Sequence, residues 1–161
     1  MIYRLSKALG KKIKESPDRC YAAPANPYLD WFAHLFVALR VQYILLANTS
    51  ALYSIVMPAK GIVDFSTFIL AANRQIAEFM TADELGLIHA RIIAPNSAVS
   101  VFSKALNRSV IGSMNDLVFH AKCHLIEDNL SPFETTQRLN ETPWASKAFV
   151  NARAGFQALT V

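Results

Sequence analysis

Charge is scarce in this chain. Asp, Glu, Lys and Arg make up 17% of its 161 residues, against about a quarter in ordinary soluble domains. A monomer of this size needs a large wetted surface, so the shortage predicts that part of the surface is covered. A two-fold homodimer is the commonest cover; a monomer with many surface Ala, Ser and Thr residues is the alternative. Cysteine is scarcer still. Cys20 and Cys123 are isolated thiols with no CxxC spacing, which excludes a secreted scaffold built on disulfides. No apolar signal region follows the basic start, which runs into "KALGKKIKES". A reduced, cytoplasmic setting is therefore expected. Neither an internal repeat nor a low-complexity tract is present, and the length suits one domain around one core.

Long uncharged runs are also few. The one that invites a membrane reading is "VQYILLANTSALYSIVMPA", Val41 to Ala59. Its centre is Asn48-Thr49-Ser50, flanked by β-branched and aromatic residues, which is the chemistry of a β-hairpin turn. A turn facing lipid would leave backbone groups unpaired, so no membrane span is expected. The residues predict a buried hairpin over 41–57, with strands Val41–Ala47 and Ala51–Met57.

What charge there is sits unevenly. Residues 1–20 hold six of the 16 basic and two of the 12 acidic residues, so the rest of the chain is balanced at ten of each. After a short strand at Ile2–Leu5, Ser6 is a plausible N-cap for a basic helix over 6–15. If helical spacing ran throughout, Arg4, Lys7, Lys11 and Lys14 would share one face opposite Ile2, Leu5, Leu9 and Ile13. That face is a candidate contact for phosphate or an anionic surface; a solvated helix face is the plainer reading. Nucleic acid is thus an admissible partner, though the balanced body gives no broad footprint for it.

The three prolines of Ser16–Asp30 mark a surface loop. "WFAHLFVAL" after Asp30 fits a short helix, with a strand as the close alternative. Phe65, Phe68, Ile69, Ala72, Ile76, Phe79 and Met80 trace one helical stripe. "TADE" (81–84) and "SPFE" (131–134) are capping-box patterns, the second with Pro132 at the first helical position. "APNS" at 94–97 is expected to break the chain, and "AVSVFS" to add a strand to the hairpin. The tail from Ala145 is expected to be helical.

Two stretches have residues suited to chemistry. In "NRSVIGSMND" the apolar set Val110, Ile111, Met114, Leu117, Val118, Ala121 and Leu125 fills one side of a helix starting near Asn107. Arg108, Gly112, Asn115, Asp116 and Phe119 lie opposite. A mid-helix Gly112 costs about 1 kcal/mol, so a close neighbour is expected there. Alternatively the helix starts at Ser113, with Asp116 closing a capping box, and its N-terminus makes a generic anion site that Asp116 itself opposes. Arg108, Ser109, Gly112, Ser113, Asn115 and Asp116 are therefore the candidate polar, anion or interface residues. A hydrolytic serine would need a base, and no histidine is local. In "HAKCH", His120 and His124 are one turn apart, the spacing of two metal ligands. Cys123 diverges from them and no further ligand is near, so no metal and no cofactor are expected.

Four segments in this order, "DWFAHLF", "VQYILLANTSALYSIVMPAKG", "NRSVIGSMNDLVF" and "SPFETTQRLNETP", carry a resemblance. Together they resemble a bacterial family catalogued as a domain of unknown function, number 6933, from "MIYRLSKAL" to at least Pro143. The resemblance implies a compact α+β domain in the bacterial cytoplasm and supplies no reaction or catalytic residues. The fold expected from the residues is α+β: a small antiparallel sheet built on the 41–57 hairpin and packed against four to six helices. The function expected is a non-enzymatic interaction module, self-associating as a homodimer or with an unknown protein partner. A nucleic-acid accessory protein using the basic helix and a small enzyme with a polar site at 108–116 are the alternatives.

Overall fold

A computed structural model of the chain describes residues 1–105, 108–143 and 149–161. Strand β1 (Ile2–Leu5) opens it, and Ser6 turns the backbone into helix α1 (Lys7–Ile13) by accepting from the Leu9 amide. The proline-rich run that follows is irregular apart from a single 3-10 turn at Pro27–Leu29. Strand β2 (Asp30–Ala38) then replaces the helix expected over "WFAHLFVAL". Its Trp, Phe and Val content suits a strand buried on both sides, and pairing with two neighbours decides the outcome. β3 (Val41–Asn48) and β4 (Ser54–Pro58) form the expected hairpin. Asn48 organises its turn, its side-chain oxygen accepting from the Ser50 and Ala51 amides.

Helix α2 (Phe65–Ala82) begins at a capping box made by Asp64 and Thr67. The box expected at 81–84 does not form. Thr81 donates its hydroxyl back to the Ala77 carbonyl, and Glu84 sits in the left-handed region at φ 61°. Nor does "APNS" break the chain: α3 (Gly86–Ile88), a π turn (His89–Ile93) and α4 (Ala94–Ser97) run on as one coil. Pro95 stands at the junction of the π turn and α4, where the widened turn changes the hydrogen-bond pattern. Strand β5 (Val101–Ser103) follows, then α5 (Arg108–Ile126), α6 (Pro132–Glu141) and α7 (Ala152–Gln157). The Ser131–Glu134 capping box opens α6 as its sequence requires. The first part of the expected tail helix, 145–148, lies outside the described residues.

The fold is α+β, with one sheet in the order β4-β3-β2-β1-β5. The hairpin is antiparallel, as is β2 with β3, whereas β1 runs parallel to both β2 and β5. The sheet is therefore mixed, and β5 joins β1 at the edge opposite the hairpin. Side chains alternate across it. Tyr3, Trp31, Ile44 and Ile55 face a core completed by α1, α2 and the Phe156 ring of α7. Phe32, Phe36, Leu45 and Val56 face a second core completed by α5 and α6. Among the described residues no helix is long and apolar enough to cross a membrane.

The second face also carries a charge. Arg4 is fully buried, and its Nε and Nη2 donate to the two carboxylate oxygens of Asp30 at 2.8 and 3.1 Å. Its remaining donors reach the Tyr21, Ala22 and Lys104 carbonyls and the Ser103 hydroxyl. Arg4 therefore does not belong to an outer basic face. Continuous helical spacing from residue 2 does not hold, because residues 2–5 are a strand and Arg4 points into the sheet's far side. One guanidinium thus ties β1 and β2 to the loop before Pro24 and to the end of β5.

Candidate functional site

The polar decamer belongs to a single helix. α5 runs unbroken through Gly112 and Ser113, so no helix starts at Ser113; Asn107 lies outside the described residues. Met114, Leu117, Val118, Ala121 and Leu125 are buried and root the helix in the second core. Ile111, expected on that oily side, is 42% exposed. Arg108, Ser109, Gly112, Asn115 and Asp116 are exposed and Ser113 is half-buried. A Cβ built on Gly112 would meet nothing within 4 Å, so no close neighbour explains this glycine within one chain.

These residues do not converge. Asn115 lines a large cavity beside α1, while Ser109 and Ser113 border a hole of about 50 Å³ against the hairpin turn. Arg108 and Asp116 line neither. Arg108, the serines and Asp116 therefore do not share one cavity, and no catalytic arrangement emerges from them. Further along α5, His124 pairs through Nδ1 with Asp128 at 2.8 Å, and the His120 ring lies edge-on to Phe119. Among the described residues no three His, Cys, Asp or Glu side chains are grouped to hold a metal ion.

The large cavity, about 690 Å³, is the feature that sequence reasoning missed. It falls within the size range of small-molecule sites, roughly 300–1,000 Å³. The topology explains why it exists. β1 and β5 are parallel neighbours, yet the chain leaving β1 becomes α1, on one face, and the chain leaving β5 becomes α5, on the other. Adjacent parallel strands whose continuations part to opposite faces leave a crevice beyond their carboxyl ends. Leu5, Ser6 and Lys7 bound it where β1 gives way to α1, and Lys104 and Ala105 where the chain leaves β5. Phe32 and His34 of β2 form the floor, and Ile111, Met114 and Asn115 of α5 the far wall.

Much of this lining is apolar, but its rim is basic. Lys7 and Lys11, one turn apart on α1, line the cavity, whereas Lys14 is the left-handed C-cap of α1 and lies off it. The four residues of the expected basic face are thus divided among the interior, the cavity and a helix end. Lys104 joins Lys7 and Lys11 in the lining, where Glu15 is the one carboxylate among the described residues. His34 is half-buried; burial, and then the nearby Lys122 charge, hold its imidazole below the ordinary range. A neutral ring therefore sits at the floor at pH 7. The signal in the sequence was alternation: once 30–38 is a strand, Phe32, His34 and Phe36 share a face, and a lone histidine interrupts an oily row.

No curated protein and no solved structure matches the chain. A family model, Domain of unknown function (DUF6933), matches residues 2–153 and so takes in the second core, the first core apart from Met1 and Phe156, the buried Arg4–Asp30 pair and the cavity lining. The chain belongs to that family.

Proposed function

We propose that this protein is a non-enzymatic binding module that holds a small, largely apolar molecule in the cavity between α1, β2 and α5. The observation that carries the reading is the cavity's position at the diverging ends of β1 and β5, with an apolar floor and volume suited to a ligand. The bacterial cytoplasm is the setting implied by the family resemblance, and it accords with two free thiols at Cys20 and Cys123. The test is saturable binding of a neutral solvatochromic dye, Nile red, at one site per chain. Ile111→Trp and Ala105→Trp, each placing an indole at the lining, abolish it while the circular dichroism spectrum is kept. Equal binding by parent and both folded variants contradicts the reading.

A second reading, self-association as a homodimer, is favoured by the outer face of α5. Phe119 and Ile126 stand there two turns apart and are 63% and 45% exposed. Such a stripe is an uncovered apolar surface in a charge-poor protein. Light scattering tests it: a mass of twice 17.9 kDa, reduced to one chain by Phe119→Asp, supports the dimer, and 17.9 kDa for the parent removes it. Nucleic-acid contact through α1 is weaker, because Arg4 is committed to Asp30.

A further inference from the structure

We infer that the cavity's ligand carries an anionic headgroup on an apolar body, with the head held among Lys7, Lys11 and Lys104 and the body laid over Phe32, Ile111 and Met114. This rests on the reading of the cavity as a ligand site and adds the ligand's chemical class. Three exposed lysines on two separate elements, α1 and the exit of β5, line the recess and bring three ammonium groups to it. Among the described residues none of these three ammonium groups makes an ion pair or a hydrogen bond. Lys12, on the next face of α1, differs: its Nζ donates to Gln42. The cavity lysines therefore keep their donors free, and with Glu15 the sole opposing carboxylate among the described residues these side chains sum to two positive charges. Like charges gathered around an apolar recess raise the local potential and attract a counter-ion.

The two ends of the recess differ, which orients the ligand. The exposed lysines stand where water reaches, so an acid headgroup keeps part of its hydration there. The inner end offers Phe32 on the floor, buried to 3% exposure, and Met114 on the far wall, buried to 2%. Burying a cation at that floor would set it against three ammonium groups and Lys122 near His34. At about 30 Å³ per water-sized group, 690 Å³ has room for roughly twenty non-hydrogen atoms. A ten-carbon chain with an acid head fits within that. A carboxylate and a phosphate monoester share the required chemistry, and lysine, a point charge with rotatable donors, accepts either.

Isothermal titration of the full chain with decanoate, decyl phosphate, decanol and decyltrimethylammonium is the test. At low salt one or both acids bind about tenfold more tightly than decanol, since two or three partly exposed ion pairs together supply that much. The cation does not bind. Whichever acid is tighter identifies the headgroup. Lys7→Gln with Lys11→Gln lowers acid affinity to the decanol level and leaves decanol itself unchanged; Glu15→Gln strengthens the acids. Raising salt to about 0.5 M shrinks the acids' advantage, because exposed charges are screened. If decanol matches both acids, or the lysine variant binds them as the parent does, the headgroup inference is overturned while the cavity reading stands. If no decyl compound binds, both fail.

Discussion

Replacing Arg4 by leucine removes the charge that the fold is arranged around, and the structure sets the size of the effect. Arg4 is wholly buried and Asp30 nearly so, and they are joined by two hydrogen bonds at 2.8 and 3.1 Å. With leucine at position 4, the Asp30 carboxylate keeps one side-chain donor, the Thr49 hydroxyl at 2.9 Å. The Tyr21 and Lys104 carbonyls each lose an Arg4 donor as well, at 3.0 and 3.2 Å. Stranding one partner of a buried pair costs about 3–5 kcal/mol. In a domain of this length that lowers the melting temperature by roughly 6–20 °C. The assay is thermal and urea unfolding followed by circular dichroism at pH 7. Arg4→Lys retains a charge but not the two-pronged geometry, so it falls between parent and Arg4→Leu. Adding Asp30→Asn to Arg4→Leu recovers part of the loss, with a coupling of about 1–3 kcal/mol between the sites. The recovery is partial because the stranded carbonyls remain. An Arg4→Leu protein within about 1 kcal/mol of the parent would refute the argument that this pair holds β1 and β2 to the loop before Pro24 and the end of β5.

Three further outcomes follow from local geometry. Leu39 and Arg40 form the β2–β3 turn with φ of 49° and 65°, a conformation that suits Asn and Gly. Leu39→Asn with Arg40→Gly raises stability by about 1 kcal/mol, seen as a melting temperature roughly 2–4 °C higher; no gain would mean that the turn holds those residues for another reason. Gly112 is exposed with open space around it, so Gly112→Ala stabilises by about 1 kcal/mol in urea unfolding. A loss instead would reveal a partner packed against that face. Burial holds His34 and His89 below the ordinary histidine range, so the native state refuses protons that the unfolded chain accepts. Stability is then full above about pH 6.5 and falls as pH drops below it, levelling off beneath the depressed native values. Urea midpoints at pH 7.5 and 5.5 check the sign, and His34→Gln narrows the difference between them.

Much of the scaffold was legible because local chemistry and tertiary packing agree. The 41–57 hairpin, the α2 stripe, the Ser131–Glu134 cap and the buried side of α5 each follow from spacing alone. The failures share a cause: local pattern met a long-range partner. "WFAHLFVAL" has helical spacing as good as its alternation, and only β1 and β3 on either side make it a strand. Arg4 looked like the first residue of a basic face until Asp30, 26 residues away, claimed it. "TADE" has the letters of a cap, but α2 runs through Thr81 and ends at Ala82. The cavity was least legible of all. Its lining comes from β1, α1, the loop at 15–17, β2, the exit of β5 and α5, and no window of sequence contains that convergence. Of the polar residues expected at 108–116 only Asn115 lines it, beside the apolar Ile111 and Met114.

The most direct test of the cavity as the functional centre is a residue-by-residue map of where a small amphiphile sits. A ¹H–¹⁵N NMR titration of the chain with decanoate is expected to move the amides of Leu5–Lys11, His34, Lys104–Ala105 and Ile111–Asn115 together, with one saturation curve. Shifts absent from those residues, or gathered instead around Phe119 and Ile126, would contradict the account.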